Sequence, residues 1–106
     1  MAPSKAKKDV PRPVFRAFEL LERRWSLHIL WALRRDALSF SALRERLSLS
    51  PSVLSTRLRE LEGAGVVDRD ADGWYRPTGT GRELTQLLYE LNRWAERSYA
   101  RPGDRS

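Results

Sequence analysis

Ser52, Ser55, Thr56 and Arg59 recur at spacings of three and four, so on a helix they present three hydroxyls and a guanidinium on one face. No histidine lies near these hydroxyls in the sequence, and no nucleophile with its own general base is apparent among them. What the set can do is donate hydrogen bonds to an anionic partner. Small hydroxyl residues let a helix come close to phosphate or base edges, and arginine can take guanine O6 and N7 in a bidentate contact. Leu54, Leu58 and Leu61 make the opposite, apolar stripe, and Arg57 lies on the flank, within expected reach of phosphate. The bland alternative is that these polar groups only solvate an exposed helix, and the neighbouring elements must decide between the two.

Composition narrows the partner. With 20 Lys and Arg against 14 Asp and Glu in 106 residues, the net charge is +6 and the pI is near 10.5. Such a surface attracts a polyanion, nucleic acid first and anionic membrane second. The chain has no cysteine, which excludes disulfides, thiolate zinc sites and thiol redox chemistry. His28 is the sole histidine and is expected at the core or its boundary with one hydrogen bond, without a functional role. No metal site, cofactor or enzymatic activity is expected, because there is no Gly-rich phosphate loop, no nucleophile with a neighbouring base and no cluster of metal ligands. No segment approaches the roughly 18 apolar residues that span a bilayer, and the basic N-terminus has no apolar stretch behind it. The expectation is a cytoplasmic protein with no membrane partner.

The order of elements supplies the context. Residues 1–10 read as a flexible basic arm, in which Lys5, Lys7 and Lys8 are better taken as a solvated tail than as phosphate contacts, and 101–106 as a disordered tail. One domain is expected over 11–100. A helix begins at Pro13 and carries Val14, Phe18, Leu21 and Trp25, with a break near Arg23–Arg24. Trp25, Leu27, Ile29, Leu30, Trp31 and Leu33 then predict a centrally buried helix. Ser39 is the expected cap of a short helix bearing Phe40, Leu43 and Leu47. Ser50–Pro51 starts another that runs to about Glu62, with Gly63–Ala64–Gly65 as its stop. Val66–Arg69 and Trp74–Arg76 flank Asp70–Gly73, which reads as a hairpin turn. Thr80 is the expected cap of a last helix carrying Leu84, Leu87, Leu88, Leu91, Trp94 and Ala95 to about Ala100.

Two short amphipathic helices joined by a tight turn and followed by a hairpin predict a mainly α fold with a short β-hairpin, the winged helix-turn-helix. In that frame the helix from Pro51 is the recognition helix. Ser39, Ser41 and Ser50, at the helix starts, join Ser52, Ser55, Thr56, Arg57 and Arg59 as expected DNA contacts. Arg69 and Arg76 flank the wing, although Asp68, Asp70 and Asp72 there would repel a phosphate backbone.

The runs Arg24–Leu30, Ser39–Leu43 and Leu54–Arg69, continued through Tyr75, Thr78, Gly81, Leu84 and Trp94, resemble the HxlR-type winged-helix regulators over about residues 13–95. The resemblance implies a bacterial transcription regulator, a repressor by expectation, that acts as a homodimer on a palindromic operator. Three departures matter. The N-terminal sensor cysteine of many members is absent, so the redox role does not carry over. Ser39 stands where a basic residue usually precedes the Phe, which removes one expected phosphate contact. Pro77 occupies a place usually apolar and strand-like, which predicts a shorter wing.

A single recognition helix makes too few contacts for specificity, so a dimer is expected through the N-terminal helix (Val14, Phe15, Phe18) and the C-terminal helix (Leu84, Leu88, Leu91, Trp94, Ala95). Trp25, Trp31 and Trp94 have two readings, core packing and the lining of a small-molecule effector pocket between protomers, of which core packing fits their helical spacing better. A winged helix that serves as a protein-protein interaction module, its charge only a solubility feature, is the alternative function.

Overall fold

The computed structural model describes residues 9–99, so the sequence readings for most of the basic arm and for the tail fall outside the described residues. The elements in chain order are α1 (Arg12–Leu21), α2 (Ser26–Ala32), α3 (Phe40–Leu47), α4 (Pro51–Gly63), β1 (Val67–Arg69), β2 (Tyr75–Pro77) and α5 (Gly79–Tyr99). The architecture is the expected winged helix-turn-helix. α2 lies centrally and packs on α1, α3 and α5. Its Ile29 and Leu30 are fully buried with Leu43, Leu54, Leu58 and Leu61, and this cluster holds the helix pair to the body. Each such side chain contributes roughly 1.5–3 kcal/mol on burial.

The joint between α1 and α2 corrects the expected buried helix at its first residue. Trp25 is not inside it but precedes it in the left-handed region, at φ 79°. That backbone state is strained for a bulky residue. Its neighbours hold it: Ser26 N donates to Arg23 O at 3.1 Å, and Arg57 Nε, from α4, donates to Arg24 O at 2.8 Å. His28 is also displaced from its expected place. It is exposed, with its ring edge-on to Trp25 at 4.9 Å, because Ile29 and Leu30 take the inward positions of a short helix.

Capping follows the sequence for the central pair. Ser39 Oγ accepts from Ala42 N at 3.1 Å and Ser50 Oγ from Val53 N at 3.3 Å, each satisfying an amide that the helix leaves unpaired. Between them Ser48 takes a left-handed turn at φ 54°, and Leu49 N returns to Arg44 O at 3.3 Å.

The wing is a two-stranded antiparallel hairpin with Val67 opposite Pro77, Asp68 opposite Arg76 and Arg69 opposite Tyr75. Asp70 N donates to Trp74 O and Thr78 N to Val66 O, so by the alternation of antiparallel rungs Pro77 falls on a rung without hydrogen bonds. Its missing N–H therefore costs the ladder nothing, and β2 runs through it. Tyr75 instead turns its N–H and carbonyl outward, exchanging bonds of 2.8 and 3.0 Å with Leu38. Leu38 thus adds an isolated bridge that ties the segment before α3 to the wing.

α5 begins one residue before the expected cap. Thr78, not Thr80, caps it: Thr78 Oγ1 accepts from Gly81 N at 3.0 Å and donates to Gly65 O at 2.6 Å. One hydroxyl therefore joins the end of α4, the end of β2 and the start of α5. Thr78→Ala should lower stability by about 1–2 kcal/mol in urea denaturation, whereas Thr80→Ala, at an exposed site, should stay within roughly 0.5 kcal/mol. Equal effects at the two positions would contradict this assignment of the cap.

Candidate nucleic-acid interface

α4 buries Leu54, Leu58 and Leu61 and turns its other side outward. Ser52 and Arg59 are exposed, and Ser55 and Thr56 are half-buried, so the four side chains singled out in the sequence share an accessible face. Arg59 Nη1 rests on Ser55 Oγ at 3.4 Å, and Ser52 Oγ lies 3.5 Å from Ser50 Oγ. These long contacts leave most donors available to a partner. α3 precedes α4 through the tight Ser48–Leu49 turn, and its exposed Ser41 and Arg44 lie beside that turn in a shallow polar hollow with Glu45 and Ser48.

Arg57 is placed differently from its neighbours. Its side chain is 20% exposed, with Nη1 on Glu60 Oε1 at 3.2 Å in addition to the bond to Arg24 O. Glu60 also faces Arg23 at 3.7 Å. A guanidinium held by two partners braces the α1–α2 joint against α4, a role that spacing alone did not reveal. Ser39 is likewise engaged, its hydroxyl oxygen accepting the α3 capping bond.

On the wing, Arg69 is partly committed: Nη1 donates to Tyr75 Oη at 3.2 Å, and its guanidinium lies 5.5 Å from that ring. Arg76 pairs with Asp68 at 3.5 Å, both well exposed. Asp70 Oδ1 accepts from Asp72 N and Trp74 N at 2.9 and 3.0 Å, and Gly73 supplies the left-handed residue of the turn at φ 87°. Two of the three wing carboxylates therefore have local partners, which lessens the repulsion that the sequence suggested. Trp74, 45% exposed beside this turn, went unnoticed in the sequence as a surface group.

The apolar residues read as an interface divide into two sets. Leu88 is buried in the core of the chain, and Leu84, half-buried, packs against it. Val14, Phe18, Leu91 and Trp94 are exposed, while Phe15 and Ala95 are half-buried. Leu87, 64% exposed, and Tyr99, 68% exposed, extend the outward stripe. Leucines occupy adjoining faces of α5, and sequence periodicity could not say which face the core would take. The three tryptophans also do not converge. Trp25 packs at the α1–α2 joint, Trp31 tilts against Tyr89 at 5.5 Å, and Trp94 meets Tyr99 at 5.2 Å.

A family model described as HxlR-like helix-turn-helix matches residues 20–102. The chain belongs to the HxlR-like helix-turn-helix family. The match takes in the helix pair, the wing and α5, and leaves out all of α1 but its last two residues. The uncharacterized HTH-type transcriptional regulator YvaP of Bacillus subtilis is 37% identical over 87 residues, 76% of this chain and 81% of YvaP. The uncharacterized HTH-type transcriptional regulator Rv3095 of Mycobacterium tuberculosis is 35% identical over 95 residues, 84% of this chain but only 60% of Rv3095. Among solved structures, quinone-bound YodB from B. subtilis superposes with a TM-score of 0.76 at 29% identity, over 83% of this chain and 99% of the YodB chain. HxlR-like proteins are helix-turn-helix regulators, so DNA binding and transcription regulation are the setting in which the exposed face of α4 is to be understood. Among the described residues no helix is long and apolar enough to cross a membrane.

Proposed function

We propose that the protein is a cytoplasmic transcription repressor that binds a palindromic operator as a homodimer, with α4 of each protomer in a major groove. The observation that carries this reading is the accessible face of exposed Ser52 and Arg59 and half-buried Ser55 and Thr56 on the second helix of a winged helix pair, opposite a fully buried leucine stripe. Ser41 and Ser50 at the helix starts supply further donors, and Arg69 and Arg76 bring the wing toward phosphate by exchanging their local partners. Two recognition helices about 34 Å apart would read half-sites one turn apart.

The partner protomer covers the apolar stripe of α5 together with α1. α1 has no buried residue although its apolar side chains gather on one face, and Phe18 is 44% exposed. A large aromatic in that state is typical of an interface awaiting its second half. Leu87→Glu combined with Leu91→Glu should give a folded monomer in sedimentation velocity, with unchanged helical circular dichroism, because both side chains are already outside the core. A dimer that persists in this double variant would rule out α5 as the interface.

Titration against duplex DNA at two salt concentrations tests the function itself. A reader that neutralises Z phosphates loses affinity with a slope of about −0.9Z in log salt. Absence of salt-sensitive binding would instead favour the protein-protein interaction module. Selection of bound fragments from genomic DNA would then identify the operator.

A further inference from the structure

Arg57 stands on the recognition helix, yet its guanidinium is spent inside the protomer. Nε donates to Arg24 O at 2.8 Å, across 33 residues of sequence, and Nη1 donates to Glu60 Oε1 at 3.2 Å. Glu60, one turn further along α4, also faces Arg23 at 3.7 Å. Two side chains of α4 therefore hold two consecutive residues of the joint through which α1 is attached. The Arg57 bond is the stronger hold, because a charged donor on a carbonyl outweighs a long pair with an exposed arginine.

The joint depends on such a hold. Trp25 sits in it at φ 79°, a state that persists in a bulky residue where the surroundings over-determine it. The Arg24 guanidinium lies over the Trp25 ring at 5.1 Å. On the other side of the joint, α1 buries none of its 10 residues, and those that pack against the core are Leu20 and Leu21 at its end. α1 is thus a lever anchored at one end. A helix of that length spans about 15 Å, so a tilt of about 10° at the joint moves its far end by roughly 3 Å, close to the rise of about 3.4 Å from one base to the next.

We propose that Arg57 is a positioning residue for operator reading: by locking α1 to the recognition helix it fixes the separation of the two α4 helices in the homodimer, and with it the half-site spacing the dimer accepts. This assignment rests on the homodimer reading above, in which the partner protomer covers α1 together with α5. α5 is tied to the body through α2 and β2, whereas α1 takes its direction from the joint. Without the bond to Arg24 O, α1 tilts against the partner and the two recognition helices lose their single separation. Arg57 and Arg59, two residues apart on α4, then divide the work: the first sets where the helix stands and the second reads what it meets.

The chain has no cysteine, and Ser52 is exposed, so Ser52→Cys carries one nitroxide per protomer on α4. Pulsed electron double resonance on the full chain, without DNA, then reads the separation of the two recognition helices. The labelled parent should give one narrow distance. Adding Arg57→Ala should shift it by about 3 Å, or broaden it by a comparable amount, with helical circular dichroism unchanged. Arg57→Lys is the second variant: it keeps the charge but not the planar fork, and should act in the same direction. A parent with no label-to-label distance would be a monomer, which overturns the homodimer reading and this assignment together. A dimeric parent whose distances neither variant alters would overturn the assignment alone. Titration of the unlabelled chain against random duplex DNA separates a brace from a phosphate contact. The salt slope of Arg57→Ala should equal that of the parent, and a fall of about one unit per protomer would make Arg57 a phosphate contact and overturn the assignment.

Discussion

Gly81→Ala should cost about 3 kcal/mol, although it adds a single methyl group at the first turn of α5. A Cβ built at Gly81 falls onto the carbonyl oxygen of Val66, with the Val66 carbonyl carbon at 2.9 Å and Pro77 Cβ at 3.2 Å. Val66 O is already held by Thr78 N, and Gly81 N is held by Thr78 Oγ1, so neither side of the contact is free to move. The clash is with backbone and not with the end of a flexible side chain. Relief requires α5 to lift from the α4–wing junction, breaking the Thr78 bonds and loosening Leu84 and Leu88 on the core. A loss of that size lowers the melting temperature of a domain this small by more than about 10 °C. Gly63→Ala is the control: its Cβ meets nothing within 4 Å and its φ is not in the left-handed region, so it should be neutral or stabilise α4 by up to about 1 kcal/mol. A melting temperature for Gly81→Ala within about 3 °C of the parent would show that the junction yields more easily than its bonds imply.

The same junction shows where the sequence was legible and where it was not. Ser39 and Ser50 were readable as caps because each stands before a clear apolar stripe, and Pro51 marks its helix start unambiguously. Thr78 was not, because two threonines flank Gly79 and the choice depends on Gly65, which is distant in sequence. The outward face of α4 could be read from spacing, since three leucines fix which side is inward. Arg57 could not be placed by the same wheel, because its partner is the carbonyl of Arg24, which only the left-handed turn at Trp25 brings within reach. Leu38 and Tyr75 pair through backbone groups, which carry no residue-type signature. On α5, leucine at Leu84, Leu87, Leu88 and Leu91 gives one broad apolar surface, and only packing against α2 shows that Leu88 belongs to the core and Leu87 to the outside. Local chemistry was therefore visible in the sequence, whereas any assignment that needed a long-range partner was not.

The contrast between Arg59 and Arg44 follows from their different positions, and it sets the second large effect. Arg59 sits on the outer face of α4, exposed, and among the described residues only a 3.4 Å contact to Ser55 holds its guanidinium. In a major groove that group is placed for guanine, where a good bidentate pair discriminates by about 1–3 kcal/mol. Two protomers make the contact twice. Arg59→Ala should therefore weaken operator binding by roughly 2–6 kcal/mol, or about 30-fold to 2 × 10⁴-fold, and should relax the base preference at one symmetric pair of positions. Adding Thr56→Ala should deepen the loss, and thermal unfolding of both variants should match the parent, because neither side chain supports the core. Arg44 is exposed on α3 beside the turn, and in the proposed docking it would meet phosphate and carry no base information. Arg44→Ala should weaken specific and random duplexes alike and lower the magnitude of the salt slope by about one unit per protomer. Binding measured across a set of single-base operator variants separates the two. If Arg59→Ala lowered affinity uniformly across that set, with only a change in salt slope, the guanidinium would be a phosphate contact and the register of α4 in the groove would have to be rotated. Unchanged affinity for every duplex would remove this face of α4 from the interface altogether.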